Sequence, residues 1–468
     1  MTVDTHGTRD PRHPSPGAPS REAWAPVRAL SGDLLEFQQD ILGFLAGQAE
    51  RQGPVAEFRL GPLQAISISS SDAVKEVLVS RARDFSKGDV QRRAMEPVLR
   101  KGLLITEGET HRVQRKLIAP WFSSRSVDDY VELLGTTARS HADRLVHGER
   151  VDLLEVMGSI TRDVIRSMLW TESSMDGDGL ADAVTGAFEW EMHKLSTTVT
   201  APTWMPTARN RAMRRDVGRM RAAVLEIIED RWGDPDRHPD VLAKFLKAIS
   251  DGHDMDRDHL VDELVALWGA AHETSADAQF WTAYLLSRHP DVRRRVEAEA
   301  DEVLGDEIPT TETLPRLTWA SAVFREAMRL FPPASVLMRA AEADTEVGGR
   351  SVKKGTLVFL DLYSLHRDAE VYPEPDVFRP ERFLEDGGTS RAHRFSYLPF
   401  GAGPHVCIGS TLALTEGAVF TAVLAARLRL DLDVDRAVHP QLLINLRPRG
   451  DVHALVTRRT PEEKGKTT

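Results

Sequence analysis

The chain has 468 residues, a hydrophobic fraction of 41% and a formal net charge of −11. That length and apolar content suffice for a sizeable core, and the acidic balance argues against a nucleic-acid partner. A single cysteine excludes an internal disulfide and a multi-cysteine zinc site, and fits a reducing cytoplasm. Residues 1–22 are rich in Pro, Gly, His and charge and are expected to be a disordered tail, with no apolar stretch that could export the chain or anchor it in a bilayer. One domain is expected over 23–458, because no linker interrupts it. A polar tail is expected over 459–468, with no reductase domain appended. Residues 34–52 read as one amphipathic helix, and Val55–Leu60 and 63–69 alternate around Gly61-Pro62 as a hairpin does. Residues 209–221 hold six arginines, read as a solvated helix face.

Residues 258–286 are apolar on nearly every side, which predicts a long helix at the centre of the molecule. His289-Pro290 ends it and opens a helix over 290–304, which Gly305 stops. Inside the central helix lies Ala270-Ala271-His272-Glu273-Thr274-Ser275. An acid beside a hydroxyl in an apolar helix is costly unless used or paired. His272-Glu273 does not open a zinc-protease HExxH, because position 276 is Ala. Thr274 has a second reading, a bond back to the carbonyl one turn earlier. A further helix runs from about Thr318 to Pro332-Pro333 and carries Glu326 and Arg329 on one face. Residues 356–360 and 452–456 are strand candidates, so the class is mainly α with a minor β part.

The lone thiol, Cys407, follows the glycine-punctuated loop Phe400-Gly401-Ala402-Gly403-Pro404-His405-Val406 and opens an apolar run, 408–430, that reads as a buried helix. The positive end of that helix and its free N–H groups are expected to lower the thiol's pKa and make it a metal ligand. Gly403 lets the backbone turn, and Gly409 leaves room for a flat group against the main chain. A dinucleotide loop is excluded, since the third glycine would fall at Val406. Most lone cysteines are inert buried thiols; this loop makes haem the flat group to test.

Phenylalanine, two glycines, His two before Cys and Gly two after resemble the ligand loop of the cytochrome P450 family. Ala413 and Glu416 stand where that family continues its ligand helix. The likeness covers about residues 25–458, with four motifs in order. It implies a single triangular helical domain with a minor β-rich part, holding haem b (iron protoporphyrin IX) ligated by Cys407, with Phe400, Gly401, Gly409 and Ala270 against it. By the same resemblance His111, Arg115, Arg339 and His405 bind the propionates, and Glu326, Arg329 and Arg382 form a structural cluster. Glu273 and Thr274 deliver protons to dioxygen, although Ala271 replaces the usual glycine. The pocket draws on Ala266, Ala334, Val336, Leu337, Leu443 and Ile444.

The implied reaction is monooxygenation of a mostly apolar small molecule with O2 and two external electrons. Hydroxylation, epoxidation and coupling share the machinery, in terpenoid, polyketide or peptide biosynthesis. The implied partners are a ferredoxin or flavodoxin with its NAD(P)H reductase, docking near Arg112 and Lys116 of a cytoplasmic monomer without a membrane anchor. A haem-thiolate sensor or isomerase that does not activate oxygen is the alternative.

Overall fold

The apolar stretch at the centre of the sequence forms one helix, Arg257–Arg288, and the rest of the chain is arranged around it. The structure is a computed structural model that describes residues 32–171, 177–196, 201–234, 236–384, 394–432 and 437–460. The expected tail at 1–22, and residues 461–468 of the one expected at 459–468, lie outside these residues. Asp256 caps the central helix by accepting from His259 N at 2.7 Å, and Leu260–Trp268 and Ala276–Thr282 are buried on all sides. Helix Leu153–Leu169 packs along it. Near its C-terminal end Trp281 stacks on Phe331 with ring centroids 4.1 Å apart. Pro290 opens the next helix, Pro290–Val303, and Gly305 follows with φ +56°.

The largest sheet begins with the predicted hairpin, Val55–Leu60 paired antiparallel to Leu63–Ile68. Leu357–Asp361 runs parallel to the second strand, Val336–Ala341 antiparallel to that, and Phe85–Ser86 closes the edge. A second sheet joins Arg150–Asp152, His453–Arg458 and Leu428–Leu432. A C-terminal hairpin pairs Pro440–Leu442 with Leu446–Pro448.

Three sequence expectations change. The single helix at 34–52 is two, Leu34–Gln39 and Ile41–Gln52, because Asp40 is extended and accepts from Gly43 N at 3.0 Å. An Asp that caps this way starts a new helix more favourably than it continues one. Asp40→Ala is expected to lower stability by about 1 kcal/mol in chemical denaturation, with no change in denaturant dependence. The helix after Cys407 spans Ser410–Arg427. Its expected last residues belong to a strand instead, where Leu428, Leu430 and Leu432 alternate with Arg429 and Asp431. Arg459, read as the start of the tail, is buried, with its guanidinium 2.9 and 2.6 Å from the Asp301 carboxylate.

The arginine-rich helix Ala208–Arg231 exposes Arg209, Arg211, Arg214, Arg215 and Arg219, as expected of a solvated face. Arg221 departs from it, pairing with Asp262 of the central helix and lying 3.4 Å from Asp258.

Candidate active site

The cysteine loop is a knot of short backbone bonds. Cys407 N donates to Phe400 O at 2.9 Å, Val406 N to Gly403 O at 3.1 Å and Gly401 N to Leu398 O at 3.0 Å. Gly401 and Gly403 sit at φ +68° and +73°, a region that L side chains avoid. Arg115 Nη1 reaches in from helix Gly108–Ile118 to donate to Val406 O at 2.7 Å. The thiol of Cys407 retains solvent-accessible surface although protein encloses it nearly as fully as a core residue. It therefore opens on an internal gap.

The central helix shows the same signature. Its flanks are buried, yet Ala270 is exposed and Ala271 to Ser275 are only half-buried. Ser275 Oγ donates to Glu416 Oε2 at 3.1 Å, which ties this stretch to the helix behind Cys407. Burial pushes Glu416 up to about 8, the Ser275 bond opposing it. Thr274 Oγ1 donates to Ala270 O at 2.8 Å, the back-bonding geometry that the sequence allowed. Its lone pairs stay available as acceptors. His272 points the other way, with Nε2 3.2 Å from Gly158 O, and burial holds it neutral with a pKa of about 4.

One expectation about the thiol is reversed. Burial raises the Cys407 pKa, outweighing the Gly409 N–H and the Arg115 guanidinium, which lower it. The helix begins three residues later, at Ser410, so its free N–H groups do not all converge on sulfur. Coordination to a metal ion would offset this, since a thiol that ligates a metal gives up its proton.

The candidate propionate ligands meet on one side of this gap. His111 and His405 have ring centroids 4.1 Å apart. His405 Nε2 lies 3.2 Å from Glu107 Oε2. Arg339, on strand Val336–Ala341, spends Nη1 on the adjacent Met338 O. Its pKa is lowered by burial, against the attraction of Glu107. Lys87, which sequence reasoning missed, is buried, with Nζ donating to Leu104 O at 2.7 Å and Thr106 O at 3.0 Å. Its pKa falls to about 8 through burial first, with Arg339 adding and Glu107 opposing. His111 is depressed to about 4 by burial and then by His405, Lys87 and Arg115.

So five basic side chains crowd together, His111 among them held neutral, and among the described residues Glu107 is the one carboxylate acting on them. Cations gathered and desolvated in this way are costly unless anions join them. The two propionates of haem would supply the missing charge. With a thiol facing the gap and glycines where a flat ring would lie, the residues fit haem.

Beneath the loop, Glu326 and Arg329 are fully buried and form a two-bond pair of 2.7 and 2.8 Å. Arg329 also donates to His366 O, Pro375 O and Val377 O. Arg382 Nε lies 3.4 Å from Glu326 Oε1, and its Nη2 donates to Pro373 O and Glu374 O. The three residues named from sequence thus come together.

Of the candidate pocket residues, Ala334, Val336, Leu337 and Ile444 are half-buried and Leu443 is exposed. Ala266 departs from the expectation. It is buried, and a Cβ added at Gly102 would fall 2.6 Å from its methyl group, so the 102 loop covers it.

A helical molecule with one thiol loop, a cation cradle and an acid-alcohol pair on a central helix belongs to the class of haem-thiolate enzymes. The family model for Cytochrome P450 matches residues 25–449. Cyclooctat-9-en-7-ol 5-monooxygenase from Streptomyces melanosporofaciens is 33% identical, over 88% of this chain and 91% of that protein. Cyclooctatin synthase from the same organism is 31% identical (86% and 88%), and pentalenene oxygenase from Streptomyces avermitilis 27% (87% and 91%). The crystal structure of the cytochrome P450DA heme domain has the same fold, with a TM-score of 0.82 at 23% identity, covering 92% of this chain and 96% of that one. This chain belongs to the cytochrome P450 family. It is a P450 monooxygenase whose cofactor is haem b. No helix among the described residues is long and apolar enough to cross a membrane.

Proposed function

We propose that this protein hydroxylates a mostly apolar polycyclic terpenoid, with Cys407 as the haem ligand and electrons supplied by a ferredoxin. The observation that carries the site assignment is the enclosed Cys407 thiol opening on a gap, with a cation cradle to one side. Terpenoid substrates are favoured by the similarity to cyclooctat-9-en-7-ol 5-monooxygenase, cyclooctatin synthase and pentalenene oxygenase, and by the apolar candidate lining Ala334, Val336, Leu337 and Ile444.

Haem, when bound, supplies the oxygen chemistry, and a thiolate ligand favours O–O cleavage. The protein's part is placement and proton supply. Lys87, Arg115 and Arg339 would neutralise the propionates, with His111 and His405 as hydrogen-bond donors to them. Thr274 would turn its hydroxyl from Ala270 O toward the gap and give up a proton there, and Glu273 would restore it from solvent. The apolar walls exclude competing water. Arg112 and Lys116 are exposed four residues apart on helix Gly108–Ile118 with Val113 between them, a surface suited to a small acidic electron donor.

The test is the carbon monoxide difference spectrum of the dithionite-reduced, haem-loaded protein, followed by titration of the ferric form with cyclooctat-9-en-7-ol. A strongly red-shifted Soret band is expected, then a shift to high spin. A band at the ordinary haem-protein position would overturn Cys407 as ligand. A normal thiolate band with no electron uptake or oxygen consumption, with any terpenoid and a surrogate ferredoxin, would favour the sensor or isomerase reading.

A further inference from the structure

Around Glu273 the central helix gathers charged groups that the proposed function leaves unused. Glu273 and Asp277 are one helical turn apart, so their carboxyls share a face. Arg447 reaches both, with Nη2 3.5 Å from Glu273 Oε2 and Nε 3.6 Å from Asp277 Oδ1. Asp277 is fully buried, and neither of its oxygens has a hydrogen-bond partner among the described residues. The same is true of Glu191, which helix Gly177–Ser196 places within electrostatic reach of Glu273. Exposed Glu189 acts on Glu273 from the same helix.

Among the described residues two carboxyls thus share one guanidinium, and two more act on Glu273 from helix Gly177–Ser196. Burial raises the pKa of Glu273 and takes Asp277 up to about 8, and Arg447 pulls both down. Glu191 rises well above the usual range, through burial and then the charge of Glu273.

Arg447 does not depend on these ion pairs for its own place. It lies in strand Leu446–Pro448, where Leu446 is pinned from two directions. Trp281 Nε1 donates to Leu446 O at 2.8 Å, and Leu446 N donates to Pro333 O at 2.9 Å. The turn of the same hairpin carries the candidate pocket residues Leu443 and Ile444.

We propose that Arg447 is a positioning residue for proton supply, setting the charge and orientation of Glu273 from the C-terminal hairpin, so that the acid beside Thr274 answers to the seat of the hairpin that carries Leu443 and Ile444. This rests on the reading of Glu273 as the link to solvent. Because Arg447 brackets two acids one turn apart, a small shift of the hairpin moves it from one to the other without leaving it unpaired. Asp277 is the second seat.

The test is an infrared pH titration of protonated carboxyl bands in the full-length haem protein, which needs no substrate or electron donor. The band lost in Glu273→Gln identifies that residue. In Arg447→Gln its midpoint is expected to rise by about one pH unit or more, a tenfold change in proton affinity. Arg447→Lys is expected to return it toward wild type. An unmoved midpoint in Arg447→Gln, with the fold intact by circular dichroism, would overturn the proposal. A second arm measures NADPH oxidation with a surrogate ferredoxin and its reductase, in H2O and D2O. Lower flux and a larger solvent isotope effect in Glu273→Gln support the underlying reading. If Glu273→Gln leaves both unchanged while the infrared midpoint still answers to Arg447, then Arg447 tunes an acid that the reaction does not use. The positioning role in proton supply then falls, together with the reading of Glu273.

Discussion

Arg329→Ala is expected to cost about 3–5 kcal/mol, the range for breaking a buried ion pair by removing one partner, and so to lower the yield of folded protein and its melting temperature. A domain's whole stability is about 5–15 kcal/mol. Glu326 would be left as a buried carboxylate facing Arg382 Nε at 3.4 Å and Arg379 N at 2.9 Å. Three carbonyls, of His366, Pro375 and Val377, would lose a donor at the same time. The ring of Tyr372, 4.9 Å from the guanidinium, would lose its cation. Arg329→Lys keeps the charge without the planar fork, and should recover only part of the loss. The exposed pair Arg112 and Glu109 is the control: Arg112→Ala should leave the melting temperature unchanged. Yield, melting temperature and haem content of the variants decide the matter. A well-folded Arg329→Ala protein would mean that the cluster is not a structural fastening.

What could be read from the sequence and what could not divide along a physical line. The central helix was legible because its apolar content extends over many turns, and a pattern that long has few alternatives. The Cys407 loop was legible because its chemistry is packed into ten consecutive residues. Glu326 and Arg329 were legible as a pair by their spacing alone, whereas Arg382 joined them only through the family pattern. Lys87, Glu107, Glu191 and Arg447 were not legible, since each owes its meaning to a partner far along the chain. Lys87 looks like a surface cation until its contacts at Leu104 and Thr106 are known. Arg447 looks like an ordinary strand arginine until the hairpin folds over Glu273 and Asp277. The misreading at Asp40 has a different cause. The apolar period continues through it, and only a side-chain bond to Gly43 N shows that the helix restarts there. The thiol's pKa was misjudged because two opposing effects were visible only as one: the helix start could be guessed, but the depth of burial could not.

Gly403→Ala is expected to abolish proper haem ligation while leaving the helical content nearly intact. A methyl group there would stand 1.8 Å from Leu78 O and 2.9 Å from Leu78 C. No rotamer relieves a contact with backbone, and Leu78 is itself buried in the packing beneath the large sheet. The φ of +73° adds a conformational cost of about 1–2 kcal/mol for any L residue. Strain of that size has one easy outlet, the loop itself. Gly403 O accepts from Val406 N, and Val406 O accepts from Arg115, so displacing Gly403 disturbs both anchors of the residue that precedes Cys407. Gly401→Ala shares the backbone cost at φ +68°, but meets only a Leu337 methyl group at 3.4 Å, and should be the milder change. The comparison separates backbone conformation from collision. The expected results for Gly403→Ala are a wild-type far-ultraviolet circular dichroism spectrum, a haem content reduced about tenfold or more, and a carbon monoxide band at the ordinary position in whatever haem remains. For Gly401→Ala the expectation is a red-shifted band of reduced intensity. A Gly403→Ala protein with full haem and a red-shifted band would show that the loop can rebuild around Cys407, and that its glycine turn does not set the ligand.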